Sequence, residues 1–204
     1  MFIAKFHISN LLTYLGAVSA VFGICAAAGG FSAKGIICLV LCGVCDLFDG
    51  AFARRFSRTD SQRAFGIQID SLADVLSFAA LPVALMYSAG MQSPLQMLVL
   101  AIYAAAAIHR LAHFSAQESR REGDDPVKFY RGLPVTYAAF FFSLCWLIKY
   151  TNISEYFEVA ATALTAALAL FFVLDVPVKK PRGVFYVLFA AVAVAVVATI
   201  LVLE

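Results

Sequence analysis

Charge is scarce in this sequence. Asp, Glu, Lys and Arg make up 14% of its 204 residues against 63% apolar residues, and mean hydropathy is +0.89. Soluble domains carry roughly 25% charged residues, so that class is excluded. Alternating apolar and polar stretches are lacking too, which argues against a transmembrane barrel and leaves strands unexpected. No repeat, low-complexity tract or soluble appendage breaks the pattern, and residues 1–204 read as a single membrane domain. The start is short, polar and weakly charged. The small-residue stretch Ala17-Val-Ser-Ala20 lies inside a full-length apolar segment, so the first segment reads as retained and not as a cleaved signal. A net charge of +2 with no basic tract gives no reason to expect nucleic acid as a partner. The five cysteines are an odd number, and Cys38, Cys42 and Cys45 share a helix face. They read as small buried apolar residues in preference to a thiolate metal site.

What fills the chain is apolar helix. Seven segments, at about 8–28, 34–53, 67–88, 95–115, 133–149, 157–175 and 183–203, each approach the ~20 residues needed to cross a bilayer. The expected fold is therefore an all-α polytopic membrane protein, a bundle of about seven transmembrane helices. Six to eight spans fit the same pattern, because the fifth segment is short and aromatic. The basic residues orient it. With the connection 54–66 in the cytoplasm, every one of the 15 Lys and Arg except Lys34 and Lys149 falls on the cytoplasmic side. This places the N-terminus inside and gives that face an affinity for phosphates and anionic lipid headgroups.

Against this apolar background four aspartates stand out. Asp46 and Asp49 close the second apolar stretch, and Asp70 and Asp74 open the third. Spacings of i,i+3 and i,i+4 put each pair on one helix face. A carboxylate within a span costs roughly 2.5–3.5 kcal/mol on insertion scales, and four around one small volume require cations. Oxygen-only ligation suits hard ions such as Mg²⁺ or Mn²⁺. Pairing with Arg54, Arg55, Arg58 and Arg63 at the headgroup level is the plainer alternative, but it needs no fixed spacing and no adjacent glycine. Gly50 removes a side chain beside Asp49, and Ala53 keeps the same face low. Arg54 offers a planar fork for a phosphate oxygen, and Gly66 opens room one turn before Asp70.

The string Asp46-x-x-Asp49-Gly50-x-x-Ala53-Arg54…Gly66-x-x-x-Asp70-x-x-x-Asp74 resembles the signature of the CDP-alcohol phosphatidyltransferases, and all eight of its fixed residues are present. Eleven residues separate Arg54 from Gly66, three more than the family pattern, and the insertion falls in the loop. The resemblance implies a CDP-linked lipid, usually CDP-diacylglycerol, held with two divalent ions by Asp46, Asp49, Asp70 and Asp74. Asp74 would also accept the proton of the attacking alcohol, with CMP leaving. Gly50, Ala53 and Gly66 would line the cytidine and Arg54 the phosphates, with Thr59 or Ser61 at the lipid phosphate. Ser9-Asn10-Leu-Leu-Thr13 is similar to the family's first-helix element, in which Asn10 and Thr13 would border the nucleotide. Relatives of this kind are commonly homodimers.

Three further stretches resemble the phosphatidylserine synthase branch: Asp70-Ser-Leu-Ala-Asp74-Val-Leu-Ser-Phe78, Phe129-Tyr-Arg131-Gly132-Leu133-Pro134 and His109-Arg110-Leu-Ala-His113-Phe114-Ser115. In the last, His113 replaces an arginine and Ser115 an asparagine. The resemblance implies L-serine as acceptor, with Arg110, His113 and Arg131 as candidates for contact with the acceptor or the lipid phosphate. Glycerol 3-phosphate, an inositol phosphate or choline are the alternative acceptors. A divalent-cation or lipid transporter is the alternative of another class, and it lacks support from ionisable groups near mid-membrane depth. His109 and His113 otherwise read as a polar cap on the fourth helix. Asp175 with Lys179, Lys180 and Arg182 reads as an interfacial ion cluster, or more sharply as a site for the amino group of serine.

Overall fold

The computed structural model describes residues 7–119, 129–175, 177–179 and 183–203. Eight α-helices run in order: α1 (Leu11–Ala28), α2 (Ser32–Ala53), α3 (Asp60–Asp74), α4 (Leu81–Ser88), α5 (Pro94–Ser119), α6 (Tyr137–Trp146), α7 (Phe157–Val173) and α8 (Gly183–Leu203). A π-helical turn, Val75–Ala80, joins α3 to α4, so that Asp60–Ser88 forms one span. Among the described residues five helices are long and apolar enough to cross a membrane, and Tyr137–Tyr150 and Val187–Leu203 are shorter apolar helices. The seven apolar segments of the sequence are thus all helical, and the protein is an all-α integral membrane protein. Strands were unexpected, yet a minimal ribbon is present: β1 (Phe129–Arg131) pairs antiparallel with β2 (Pro177–Lys179). It involves three residues on each side, too few to leave an alternating pattern in the sequence.

Helices α1 and α2 form a hairpin packed through small residues. A Cβ on Gly23 would lie 2.9 Å from Cys38 Cβ and 2.7 Å from Leu81 Cδ1. One on Gly35 would lie 2.5 Å from Leu85 Cδ2. Backbones can approach this closely only where side chains are missing, and such contact substitutes for the absent hydrophobic drive between helices in lipid. Leu81 and Leu85 belong to α4, so the same glycines seat the third span against the hairpin. The antiparallel register places Gly16 beside Cys45, Ser19 beside Cys38 and Thr13 beside Asp49.

The third span starts earlier than its apolar run. Thr59 caps α3 in a reciprocal box, its Oγ1 accepting from Gln62 N at 3.3 Å while Gln62 Oε1 accepts from Thr59 N at 2.9 Å. Polar residues 60–66 are therefore helical. After Asp74 the helix widens. Pro82 has no N–H to offer the carbonyl four residues back, Phe78 O. The fully buried Tyr103 of α5 supplies the donor instead, with its hydroxyl 2.6 Å from Phe78 O. Tyr103→Phe leaves that carbonyl unpaired in the core and is expected to cost about 1–3 kcal/mol. The loss should be read as a lower unfolding midpoint in detergent, and an unchanged midpoint would show that the carbonyl finds another donor.

Candidate functional site

The hairpin and the third span converge on the four aspartates. Asp46 and Asp49 sit on the last turns of α2, and Asp70 and Asp74 on the last turns of α3. Carboxylate oxygens of Asp46, Asp49 and Asp70 lie within 4.8 Å of one another. Asp74 stands one helical turn beyond Asp70 and lines the same cleft. That cleft has about 190 Å³ of empty space, part of it open, and is walled by Thr13, Gly16, Cys42, Cys45, Ala73 and Ser77 besides the aspartates. Asp74 falls outside the tight group of three.

Such a donor set fits a hard divalent cation. Each carboxylate offers oxygens of the type Mg²⁺ and Mn²⁺ prefer, and each is half-buried. Two threonine hydroxyls bond them. Thr136 Oγ1 donates to Asp46 Oδ2 at 2.6 Å, and Thr13 Oγ1 donates more weakly to Asp49 Oδ2 at 3.5 Å. Hydroxyls bring no compensating charge, so the mutual repulsion of the carboxylates is left for cations to offset.

The helices that carry the aspartates also carry the small residues Gly50, Ala53 and Gly66. Ala53 and Gly66 are buried and Gly50 is exposed. A Cβ on Gly66 would sit 3.3 Å from Asn10 Oδ1, so Gly66 lets α3 press against the start of α1. Asn10 itself is buried. Its Oδ1 accepts from Ser9 Oγ at 3.2 Å, while its amide nitrogen has no protein partner. A buried amide donor left open beside the cleft is a ready contact for a ligand acceptor. Two guanidinium groups approach the two glycines: Arg54 Nη1 lies 3.6 Å from the Cβ position of Gly50, and Arg58 Nη1 lies 3.7 Å from that of Gly66. Sequence reasoning singled out Arg54 for phosphate but not Arg58.

Thr59, Ser61, Arg110 and His113 are not among the residues that line the cleft. The Thr59 hydroxyl is used in capping α3, and Thr59 and Ser61 are exposed. Arg110 is buried, at 5% exposure, where its Nε donates to Leu133 O at 3.3 Å and one Nη donates to Gly132 O at 3.5 Å. It holds the turn at Gly132, whose φ of +81° favours glycine. His109 and His113 are exposed, and a ring nitrogen of His113 is 3.4 Å from Gln117 Nε2. The Arg131 side chain, like the charged groups of Lys179, Lys180 and Arg182, lies outside the described residues, and Asp175 is exposed. Two further features were not anticipated. Cys42 and Cys45 line the cleft, with Cys42 Sγ donating to Gly16 O at 3.3 Å. Thr136, two residues past the Gly132-Leu133-Pro134 element, reaches the aspartates.

Known proteins resemble this chain in sequence. A CDP-diacylglycerol–serine O-phosphatidyltransferase of Saccharomyces cerevisiae is 32% identical over 100 residues, covering 47% of this chain and 35% of that protein. The chain thus spans about a third of the yeast relative's length. An archaetidylserine synthase of Methanothermobacter thermautotrophicus is 28% identical over 175 residues, or 85% of this chain and 70% of that protein. The family described as CDP-alcohol phosphatidyltransferase matches residues 6–203, and the chain belongs to that family.

Proposed function

We propose that the protein transfers a phosphatidyl group from CDP-diacylglycerol to L-serine, forming phosphatidylserine and releasing CMP. One observation carries this reading. Three carboxylates from two different spans gather within 4.8 Å of one another, and the buried Asn10 packed on Gly66, one turn before Asp70, has an unpartnered amide. A cation transporter would need the carboxylates alone. The open amide, the exposed Gly50, and the Arg54 and Arg58 guanidiniums suit a nucleotide with its phosphates.

In the proposed reaction Asp46, Asp49 and Asp70 hold two divalent ions, Mg²⁺ or Mn²⁺, with Asp74 as a further ligand. Ions held there would supply positive charge to offset the negative charge of the pyrophosphate and the departing phosphate. Asn10 and Thr13 border the nucleotide, and Arg54 binds its phosphates. Thr59 or Ser61 would meet the lipid phosphate. The serine hydroxyl forms a P–O bond to the lipid-side phosphorus as the bond from that phosphorus to CMP breaks, and the hydroxyl proton passes to the Asp74 carboxylate. The cleft faces the cytoplasm in this scheme, where both CMP and serine are soluble. The basic residues gathered on that side support the orientation. Both relatives are named for serine products or acceptors, which supports the acceptor, as do the stretches around Asp74 and Gly132. Arg110, His113 and Arg131 remain candidates for acceptor or lipid-phosphate contact.

A panel of alcohols tests the reading directly. With CDP-diacylglycerol and Mn²⁺ the purified protein is expected to release CMP with L-serine, and lipid mass spectrometry should find a headgroup carrying both an amine and a carboxylate. Release driven only by glycerol 3-phosphate, an inositol phosphate or choline would refute serine and leave the phosphatidyl transfer standing. No release with any alcohol, together with no stabilisation by CMP and Mn²⁺, would refute the enzyme itself.

A further inference from the structure

We infer that Thr136 is a positioning residue for the metal centre, fixing the Asp46 carboxylate from the entry of α6. The inference rests on the metal-binding reading above and extends it to a residue on a different span.

Thr136 occupies the N-cap of α6, with φ −53° and ψ −28°. Capping by a threonine hydroxyl goes with an extended backbone at the N-cap, which Thr136 does not have. Here the side chain makes no capping bond. The hydroxyl instead donates to Asp46 Oδ2 at 2.6 Å, across 90 residues of sequence. A carboxylate has several lone-pair directions. A neutral donor fixed on one oxygen locks the side-chain torsion and leaves Oδ1 free to ligate, the usual work of a group behind a metal ligand.

The hydroxyl's own position is set by a chain of contacts. Arg110 holds the carbonyls of Gly132 and Leu133, and Leu133 N donates to Phe171 O at 3.4 Å. A Cβ at Gly132 would lie 3.1 Å from Leu174 O and 3.3 Å from Arg110 Nε, so the turn admits little else. The segment then runs through Pro134 and Val135 into α6, whose first turn begins with Ala139 N donating to Thr136 O at 3.1 Å. Arg110 therefore acts through the turn on Thr136, and Thr136 on Asp46.

The test compares Thr136→Val and Thr136→Ala, which remove the hydroxyl, with Thr136→Ser, which keeps it. The full chain in detergent is titrated with Mn²⁺ alone, and free Mn²⁺ is followed by electron paramagnetic resonance. Melting without metal is recorded in parallel. Loss of a group behind a ligand weakens metal affinity about 10–100-fold. The valine and alanine variants are therefore expected to shift Mn²⁺ half-saturation upward at least about tenfold, while serine stays within about threefold of wild type. A purely structural threonine would lower the melting temperature and leave the Mn²⁺ curve in place, which would overturn the inference. The alanine variant keeps the comparison available if valine does not fit. If wild type itself binds no Mn²⁺, the metal reading falls and the inference with it. If wild type binds and the valine or alanine variant binds equally well, only the role of Thr136 falls.

Discussion

Asp46→Asn and Asp70→Asn are each expected to abolish CMP release while making the metal-free protein no less stable. The two effects have one cause. Asp46, Asp49 and Asp70 present oxygens within 4.8 Å of one another, and two ionised groups at that range repel by roughly 3 kcal/mol at an effective dielectric constant near 20. Replacing one with a neutral amide of the same shape relieves that repulsion in the absence of cations. The same change removes a charged ligand, so the stabilisation that Mn²⁺ gives wild type should vanish. Saturation at a hundred times Kd corresponds to about 2.7 kcal/mol, a shift easily read in a melting curve. Asp46→Asn also retains an acceptor for Thr136 Oγ1, which guards its fold. The measurements are melting with and without Mn²⁺, and turnover with CDP-diacylglycerol and serine. Near-wild-type turnover in either variant would remove the aspartates from the metal site. Chelation should stop the wild-type reaction, and Mg²⁺ or Mn²⁺ should restore it.

Much of this site was legible because it is written in local spacing. Asp46 and Asp49 lie one turn apart on α2, Asp70 and Asp74 one turn apart on α3, and both pairs end up facing one cleft. Helical periodicity makes that inference. Continuous apolarity likewise marked all seven helical segments. What escaped the sequence depends on partners distant along the chain. Nothing local tells that the Thr136 hydroxyl is taken by Asp46. The widened turn at Val75–Ala80 is bonded from another span, by the Tyr103 hydroxyl on the Phe78 carbonyl. An apolar run records neither. Nor does anything local tell that Arg110 bonds the carbonyls of Leu133 and Gly132. The start of α3 could have been read: Thr59-x-x-Gln62 is a capping box, and hydropathy alone overlooks it because the helix it opens is polar.

Asp74 differs from the other three aspartates, and the difference separates chemistry from binding. It lies one turn farther along α3, outside the 4.8 Å group, and shares its part of the cleft with Cys42, Ala73 and Ser77. There it has room to meet the hydroxyl of an acceptor poised on the lipid-side phosphorus. Asp74→Asn is therefore expected to keep most of the binding of CDP-diacylglycerol with Mn²⁺, which Asp46→Asn should lose, yet to lose turnover comparably. Removing a general base typically costs ~10²–10⁴-fold in rate, whereas removing a ligand from the group of three weakens binding and rate together. The experiment pairs the thermal shift produced by CDP-diacylglycerol and Mn²⁺ with CMP release at saturating serine, on both variants and wild type. Turnover by Asp74→Asn above about a tenth of the wild-type rate lies short of the general-base range and would assign the proton to another acceptor, such as water or a phosphate oxygen. Loss of the thermal shift to the extent seen in Asp46→Asn would make Asp74 a metal ligand first, with its distance from the other three closed when the cations bind.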